Sequence, residues 1–231
     1  MRIIPRKNQV IGITGSICTG KSFALKYLAK LGFRTVSMDA LVHQAMRDNI
    51  DIKQELLKNF SNVFKNGEVC RLSLGKEVFS NKTAMKKLED IIHPYTHNKL
   101  RELAQTVKKS GGRSLVVEVP LLFEKNRAQY FDWIICLYSS TKTMLKRASL
   151  RKRMTKEMFF EILAKQMPAD EKIRQSDYTI CSENGLYMLY SLKKIINYGR
   201  FKRDCSGYRD YRPGLQTRRQ NYRDRLYRTN K

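Results

Sequence analysis

Acid is scarce in this sequence. Asp and Glu number 21 against 46 Lys and Arg over 231 residues, a formal net charge of +25. That balance favours anionic partners: nucleotides, acidic metabolites, nucleic acid or a membrane surface. Long apolar runs are absent, since none approaches the roughly 20 residues of a membrane-spanning helix. Residues 1–7, Met-Arg-Ile-Ile-Pro-Arg-Lys, carry no apolar signal core. Metal and disulfide patterns are missing too. The five cysteines, Cys18, Cys70, Cys136, Cys181 and Cys205, form no C-x-x-C pair, and the three histidines lack metal-ligand spacing. The expectation is a cytoplasmic protein with reduced thiols.

What is present suits one α/β domain with an insertion. Apolar residues make up 42% of the chain, enough for a sizeable core. Short strands are expected at residues 10–14, 33–38, 114–119, 133–138 and 178–181. The continuous apolar character of 114–119 and 133–138 suits strands buried on both faces of a parallel sheet. Helical periods lie between them, at residues 23–31, 143–166 and about 186–198. Gly32 ends the first helix and Gly111-Gly112 forms a turn. Residues 40–109 read as mostly helical, with a break at His93-Pro94, because proline disfavours helix in the residue before it. One crossover does not need so much helix, so residues 41–109 are expected to form an inserted subdomain.

Gly15-Ser16-Ile17-Cys18-Thr19-Gly20-Lys21-Ser22 fits G-x-x-x-x-G-K-[ST], with a strand before it and a helix after it. Such a loop turns successive backbone N–H groups toward phosphate oxygens, and the helix N-terminus adds positive potential. Lys21 is placed to reach the β- and γ-phosphates and Ser22 to ligand Mg²⁺, while Phe23 offers its backbone N–H. The bland alternative is a glycine turn with an incidental lysine. The expected fold is therefore a P-loop NTPase-like parallel sheet flanked by helices, and ATP and Mg²⁺ are the expected cofactors.

Asp39 and Glu118 fall at the carboxyl ends of predicted strands, where doubly wound sheets bind ligands. Each is a candidate proton acceptor or a water-mediated Mg²⁺ partner; Asp39 also reads as a helix cap and Glu118 as half of an ion pair. Arg147 and Arg151 share one face of a basic predicted helix. They suit a lid over the transferring phosphate, with a solvated basic face as the alternative.

The chain resembles the dephospho-coenzyme A kinase family over residues 10–198. The blocks are Gly12-Ile13-Thr14-Gly15 leading into Gly20-Lys21-Ser22, Val36-Ser37-Met38-Asp39-Ala40, Ile91-Ile92-His93-Pro94 and Val117-Glu118-Val119-Pro120-Leu121-Leu122-Phe123-Glu124. Arg147, Arg151 and Gln166 fit the family's lid region, and Ser176-Asp177-Tyr178-Thr179-Ile180 closes the series. The resemblance implies phosphorylation of the ribose 3′-hydroxyl of dephospho-coenzyme A by ATP, the final step of coenzyme A synthesis. It implies a nucleotide core (residues 1–40 and 110–198), a lid at about 140–170, and acceptor binding by the insertion, with His93, Glu118 and Leu121 as acceptor contacts. Asp39 is the implied base, with Lys21, Arg147 and Arg151 beside it in catalysis. The chain departs from the family at Leu41, where a second acid is usual, at Glu118 in place of Asp, at Ser16, Cys18 and Thr19 in the loop, and at Lys152 after the lid arginine.

Residues 199–231 hold eleven Lys and Arg against three Asp, with Tyr208, Tyr211, Tyr222 and Tyr227 among the arginines. This tail is expected to be disordered and dispensable for catalysis. A nucleotide-regulated RNA-binding protein is one alternative, since Arg and Tyr contact phosphates and stack on bases. Another P-loop kinase acting on a nucleoside, nucleotide or small alcohol is the other.

Overall fold

Residues 8–65, 67–109, 114–152 and 154–198 are described by a computed structural model of the chain; the expected Gly111-Gly112 turn and the 199–231 tail lie outside them. The first elements are β1 (Val10–Thr14), α1 (Lys21–Lys30), β2 (Arg34–Ser37), α2 (Met38–Asp48) and α3 (Ile50–Asn59). Next come β3 (Phe64–Lys65), β4 (Glu68–Val69), α4 (Arg71–Ser80), α5 (Lys82–Lys109) and β5 (Leu115–Glu118). The series ends with β6 (Trp133–Tyr138), α6 (Thr141–Ser149), α7 (Lys156–Ala164), α8 (Ala169–Gln175), β7 (Tyr178–Cys181) and α9 (Gly185–Tyr198).

All five expected strands pair into one parallel sheet, in the order β2-β5-β1-β6-β7. Alternate residues serve opposite faces. Ile11, Ile13, Val116, Ile135 and Leu137 pack with Ala24 and Leu28 of α1 and with Met188, Leu192 and Ile195 of α9. Val10, Leu115, Val117 and Ile134 pack with Leu100, Ala104 and Val107 of α5. With helices on both faces, the central strands β1, β5 and β6 have no wet side, and this is why their runs read as continuously apolar, whereas the edge strand β2 keeps Arg34 exposed.

The helix α1 stops where expected. Gly32 takes φ 87, Gly32 N donates to Ala29 O at 2.9 Å and Phe33 N to Leu28 O at 3.1 Å, a Schellman closure.

Three local expectations are corrected. The break at His93-Pro94 is absent, and Pro94 sits inside the 28-residue helix α5. Before the proline, Ala84 and Ile92 are buried with α2, α3 and α4; after it, Leu100, Ala104 and Val107 are buried on the sheet. Anchored at both ends, the helix tolerates one missing hydrogen bond, a tertiary override of local preference. The helix expected over 143–166 is split at residues 150–155, because Thr155 caps a new helix by accepting from Met158 N at 3.2 Å. The mostly helical 40–109 segment also contains the β3–β4 hairpin, which turns at Gly67.

Candidate functional site

The loop between β1 and α1 is shaped by its own residues. Gly15 has φ 141, and a Cβ there would stand 2.2 Å from Leu137 O, so no side chain fits. Cys18 takes φ 61 without being glycine, and Gly20 is the N-cap of α1. Thr19 Oγ1 donates to Ser16 O at 2.9 Å, which tightens the bend. Ile17, Cys18, Ser16 and Thr19 are buried, whereas Ser22 and Phe23 are exposed on the first turn of α1.

Lys21, only 8% exposed, folds back over the loop. Its Nζ donates to Gly15 O at 2.8 Å and to Ser16 O at 2.7 Å. Burial pushes this ammonium down to about 8, with Glu118 and Asp39 opposing and Lys172 reinforcing the shift. A polyanion at the loop would relieve the desolvation that causes it.

Parallel register brings the carboxylates to the same edge. Glu118 lies opposite Ile13 of β1 on one side and Ser37 of β2 on the other. It is buried, and its Oε1 accepts from Ser22 Oγ at 2.9 Å. Asp39 is exposed in the first turn of α2, two residues past the N-cap Ser37, and so does not cap that helix. Its charge acts on Lys21, Arg127 and His43.

The oxygens of Ser22 and Glu118 are hard donors of the kind Mg²⁺ takes, and Mg²⁺ is held by one or two protein oxygens when phosphates supply the rest. Among the described residues no group of three or more His, Cys, Asp or Glu could hold a metal. The donor set fits a nucleotide-borne Mg²⁺ better than a protein-caged ion.

The segment after β6 closes over the loop. Phe159 of α7, Met144 and Ala148 of α6, and Ile17 and Cys18 of the loop form one buried cluster. Arg147 Nη1 donates to Cys18 O at 3.3 Å, and Nη2 donates to Ser182 O. Arg151 lies beyond the end of α6 and stays exposed, so the two arginines do not share a helix face. Gln166 Oε1 accepts from Ile17 N at 2.9 Å.

A second polar surface lies between α5 and the turn at residues 120–126. His93 and Leu121 are half-buried there. Burial pushes the His93 imidazole below its usual range, and the Lys125 charge adds to this. Lys125 pairs with Glu89 at 2.8 Å. Arg127 Nη2 donates to Thr96 Oγ1 at 3.0 Å, and Tyr130 hydroxyl bonds the His97 ring. Arg127 and Lys125 escaped sequence reasoning because they follow the turn motif as ordinary surface cations.

Beneath this turn, Lys172 of α8 is 0% exposed and pairs with Glu124 Oε1 at 2.8 Å. Lys172 Nζ also donates to Pro120 O at 3.2 Å. Neither partner was singled out by pattern, since 48 residues separate them in sequence and only folding shows the ammonium to be enclosed.

Known proteins resemble this chain in sequence and fold. The sequence model of the dephospho-CoA kinase family matches residues 9–187. The chain belongs to that family. A dephospho-CoA kinase of Bartonella quintana is 34% identical over 172 residues, covering 74% of this chain and 88% of that one. That of Fusobacterium nucleatum is 32% identical over 191 residues, covering 82% and 96%. A solved structure of a Thermus thermophilus protein aligns with a TM-score of 0.70 at 26% identity, covering 82% of this chain and 97% of that one. The dephospho-CoA kinase of Campylobacter jejuni gives 0.62 at 28% identity, covering 84% and 98%. The family match takes in the loop, Glu118, Lys172 and helices α6 and α7, and ends before residue 199.

Proposed function

We propose that this chain transfers the γ-phosphoryl group of ATP to the ribose 3′-hydroxyl of dephospho-coenzyme A, giving coenzyme A and ADP. The observation that carries the reading is a buried Lys21 lying over a glycine-shaped loop, next to the Ser22–Glu118 contact. The substrate class comes from family membership.

In this reading the amides of the loop at residues 15–23, apart from the Ile17 N–H held by Gln166, take the phosphates, and Lys21 leaves the Gly15 and Ser16 carbonyls to neutralise the β- and γ-oxygens. Asp39 accepts the proton of the 3′-hydroxyl as its oxygen attacks phosphorus and the bond to the β-phosphate oxygen breaks. With Leu41 beside it in place of a second acid, Asp39 does this alone. Ser22, with Glu118 behind it through water, would hold Mg²⁺, which when bound supplies charge neutralisation between the β- and γ-phosphates.

Arg147 is already anchored at the loop, while exposed Arg151 is free to swing toward the phosphoryl group. The division of labour is a nucleotide core at residues 1–40 and 110–198, a lid at about 140–170, and acceptor binding by 41–109. His93, Leu121 and Glu118 contact the acceptor, with Arg127 and Lys125 available for its diphosphate. A cytoplasmic site of action suits the free thiols of Cys18, Cys70, Cys136 and Cys181, and no described helix is long and apolar enough to cross a membrane. The tail at 199–231 is dispensable.

Incubating the full chain with ATP, Mg²⁺ and dephospho-coenzyme A should yield coenzyme A by mass spectrometry. Phosphorylation of nucleosides or small alcohols in the same assay, with dephospho-coenzyme A left intact, would overturn the substrate assignment.

A further inference from the structure

Glu124 and Lys172 make an ion pair that no step of the reaction uses. Lys172 is 0% exposed, and Glu124 Oε2 is buried without a hydrogen-bond partner. Burying two charges contributes little net stability, because desolvation offsets their attraction; a well-packed apolar pair holds a fold as well. What a carboxylate supplies and an apolar side chain cannot is an acceptor. Glu124 Oε1 takes the Met167 N–H at 2.9 Å as well as the Lys172 ammonium at 2.8 Å. Met167 packs beside Leu122 and Phe123 in the core under the turn. The residue before it, Gln166, turns its side chain the other way and accepts from Ile17 N at 2.9 Å. Adjacent residues thus join two parts of the site, one gripping the turn at 120–126 and the other gripping the phosphate loop.

We propose that Glu124, Lys172 and Gln166 are positioning residues, a staple that sets the phosphate loop relative to the acceptor-side turn. It rests on the reading above, in which the loop holds ATP and the turn faces the acceptor. Lys172 anchors the Glu124 carboxylate and the Pro120 carbonyl together. Glu124 fixes the backbone at Met167, and that backbone aims Gln166. Gln166 occupies the Ile17 N–H, so that amide is tied to the staple and not offered to a phosphate. The parts act in series, so cutting either end releases the loop by the same amount.

The test uses the full chain and ATP as the probe, with affinity from titration calorimetry and both KM values from steady-state assays. Gln166→Met keeps length and volume and removes the acceptor; it should weaken ATP binding about tenfold, the effect of stranding one buried amide. The KM for dephospho-coenzyme A should stay within roughly twofold, since no acceptor contact is lost. Glu124→Gln lies on the acceptor side yet should also weaken ATP binding, and the double variant should be no worse than the weaker single. Unchanged ATP affinity in Gln166→Met overturns the staple. So does a Glu124→Gln effect confined to dephospho-coenzyme A, or one that multiplies with the first. If Glu124→Gln does not fold, Gln166→Met decides: a lower melting temperature with ATP affinity intact marks a purely structural contact. A wild-type chain that binds ATP without phosphorylating dephospho-coenzyme A sinks the functional reading alone, and the binding comparison still judges the staple.

Discussion

In the phosphate loop the polar contacts run inward. Lys21, Thr19 and Arg147 all donate to loop carbonyls, and Gln166 takes a loop amide. On the α5 face around His93 they run instead between side chains, Lys125 to Glu89, both half-buried, and half-buried Arg127 to buried Thr96. The first arrangement is a cradle built before its ligand arrives. The second can re-pair when an anion displaces a carboxylate or hydroxyl. The difference teaches where rigidity is placed: phosphoryl transfer requires the donor held within narrow limits, while a long, flexible acceptor can be adapted to. Damage to the loop should therefore register in ATP affinity or turnover, and damage across from it, the Glu124–Lys172 pair apart, in turnover or acceptor KM alone.

The largest effect expected is at Lys21. Lys21→Met should cut kcat/KM on the order of 10³-fold, the scale of removing one charge-stabilising group from a transition state. Stability should not fall with it. The folded value of about 8 lies below the usual 10.5, so the unfolded chain binds more protons between those limits and stability rises as pH climbs through them. Below pH 8 the folded protein carries the full cost of a buried ammonium, at most roughly 3 kcal/mol. A melting temperature for Lys21→Met that drops steeply at pH 7 would mean the lysine holds the loop together, and the comparison above would fail.

Across the site, Asp39→Asn should lower kcat about 10²-fold, at the low end for a general base. ATP affinity and melting temperature should stay at wild-type values, because Asp39 is exposed and caps nothing. Wild-type kcat in this variant would remove Asp39 as the base and turn attention to Glu118, which ends β5 at the same edge of the sheet.

A smaller, graded effect follows from the same lysine. Phosphate binding favours the charged form, so ATP should bind with proton uptake. Its affinity should fall about tenfold for each pH unit above 8, as free Lys21 gives up its proton. Calorimetry at pH 9 in two buffers of different ionisation enthalpy would measure that uptake. None at pH 9 would show that Lys21 is not buried in the free protein.

The sheet and the loop were readable from sequence for one reason. Both are local patterns enforced from two sides: apolar runs buried on both faces, and glycines where a Cβ has no room, as at Gly15. The line of α5 was not readable, because Pro94 reports a local preference that anchors such as Ile92 and Leu100 override. The cap at Thr155 was legible in principle, but an unbroken basic helical period concealed it. The β3–β4 strands, two residues each, are too short to carry a period. Gln166 and Ile17 meet across 149 positions, and Glu124 and Lys172 only through the packing of α8 on the sheet, so no window along the chain holds both ends.

Cys18 gives the finest measure of whether the loop shapes itself or is shaped by the lid. Its φ of 61 is left-handed and costs a non-glycine residue about 1 kcal/mol. The thiol in return is buried against Met144, Ala148 and Phe159. Cys18→Gly removes both strain and packing, so stability in urea should change by less than about 1 kcal/mol. Cys18→Val adds apolar volume at a φ that β-branched residues avoid, and should cost about 2 kcal/mol or more. If backbone conformation sets the loop, the two variants separate widely, with Gly the more stable. Equal losses would mean that the thiol's contact with the lid fixes residue 18, and that the cradle depends on lid docking more than on its own turns.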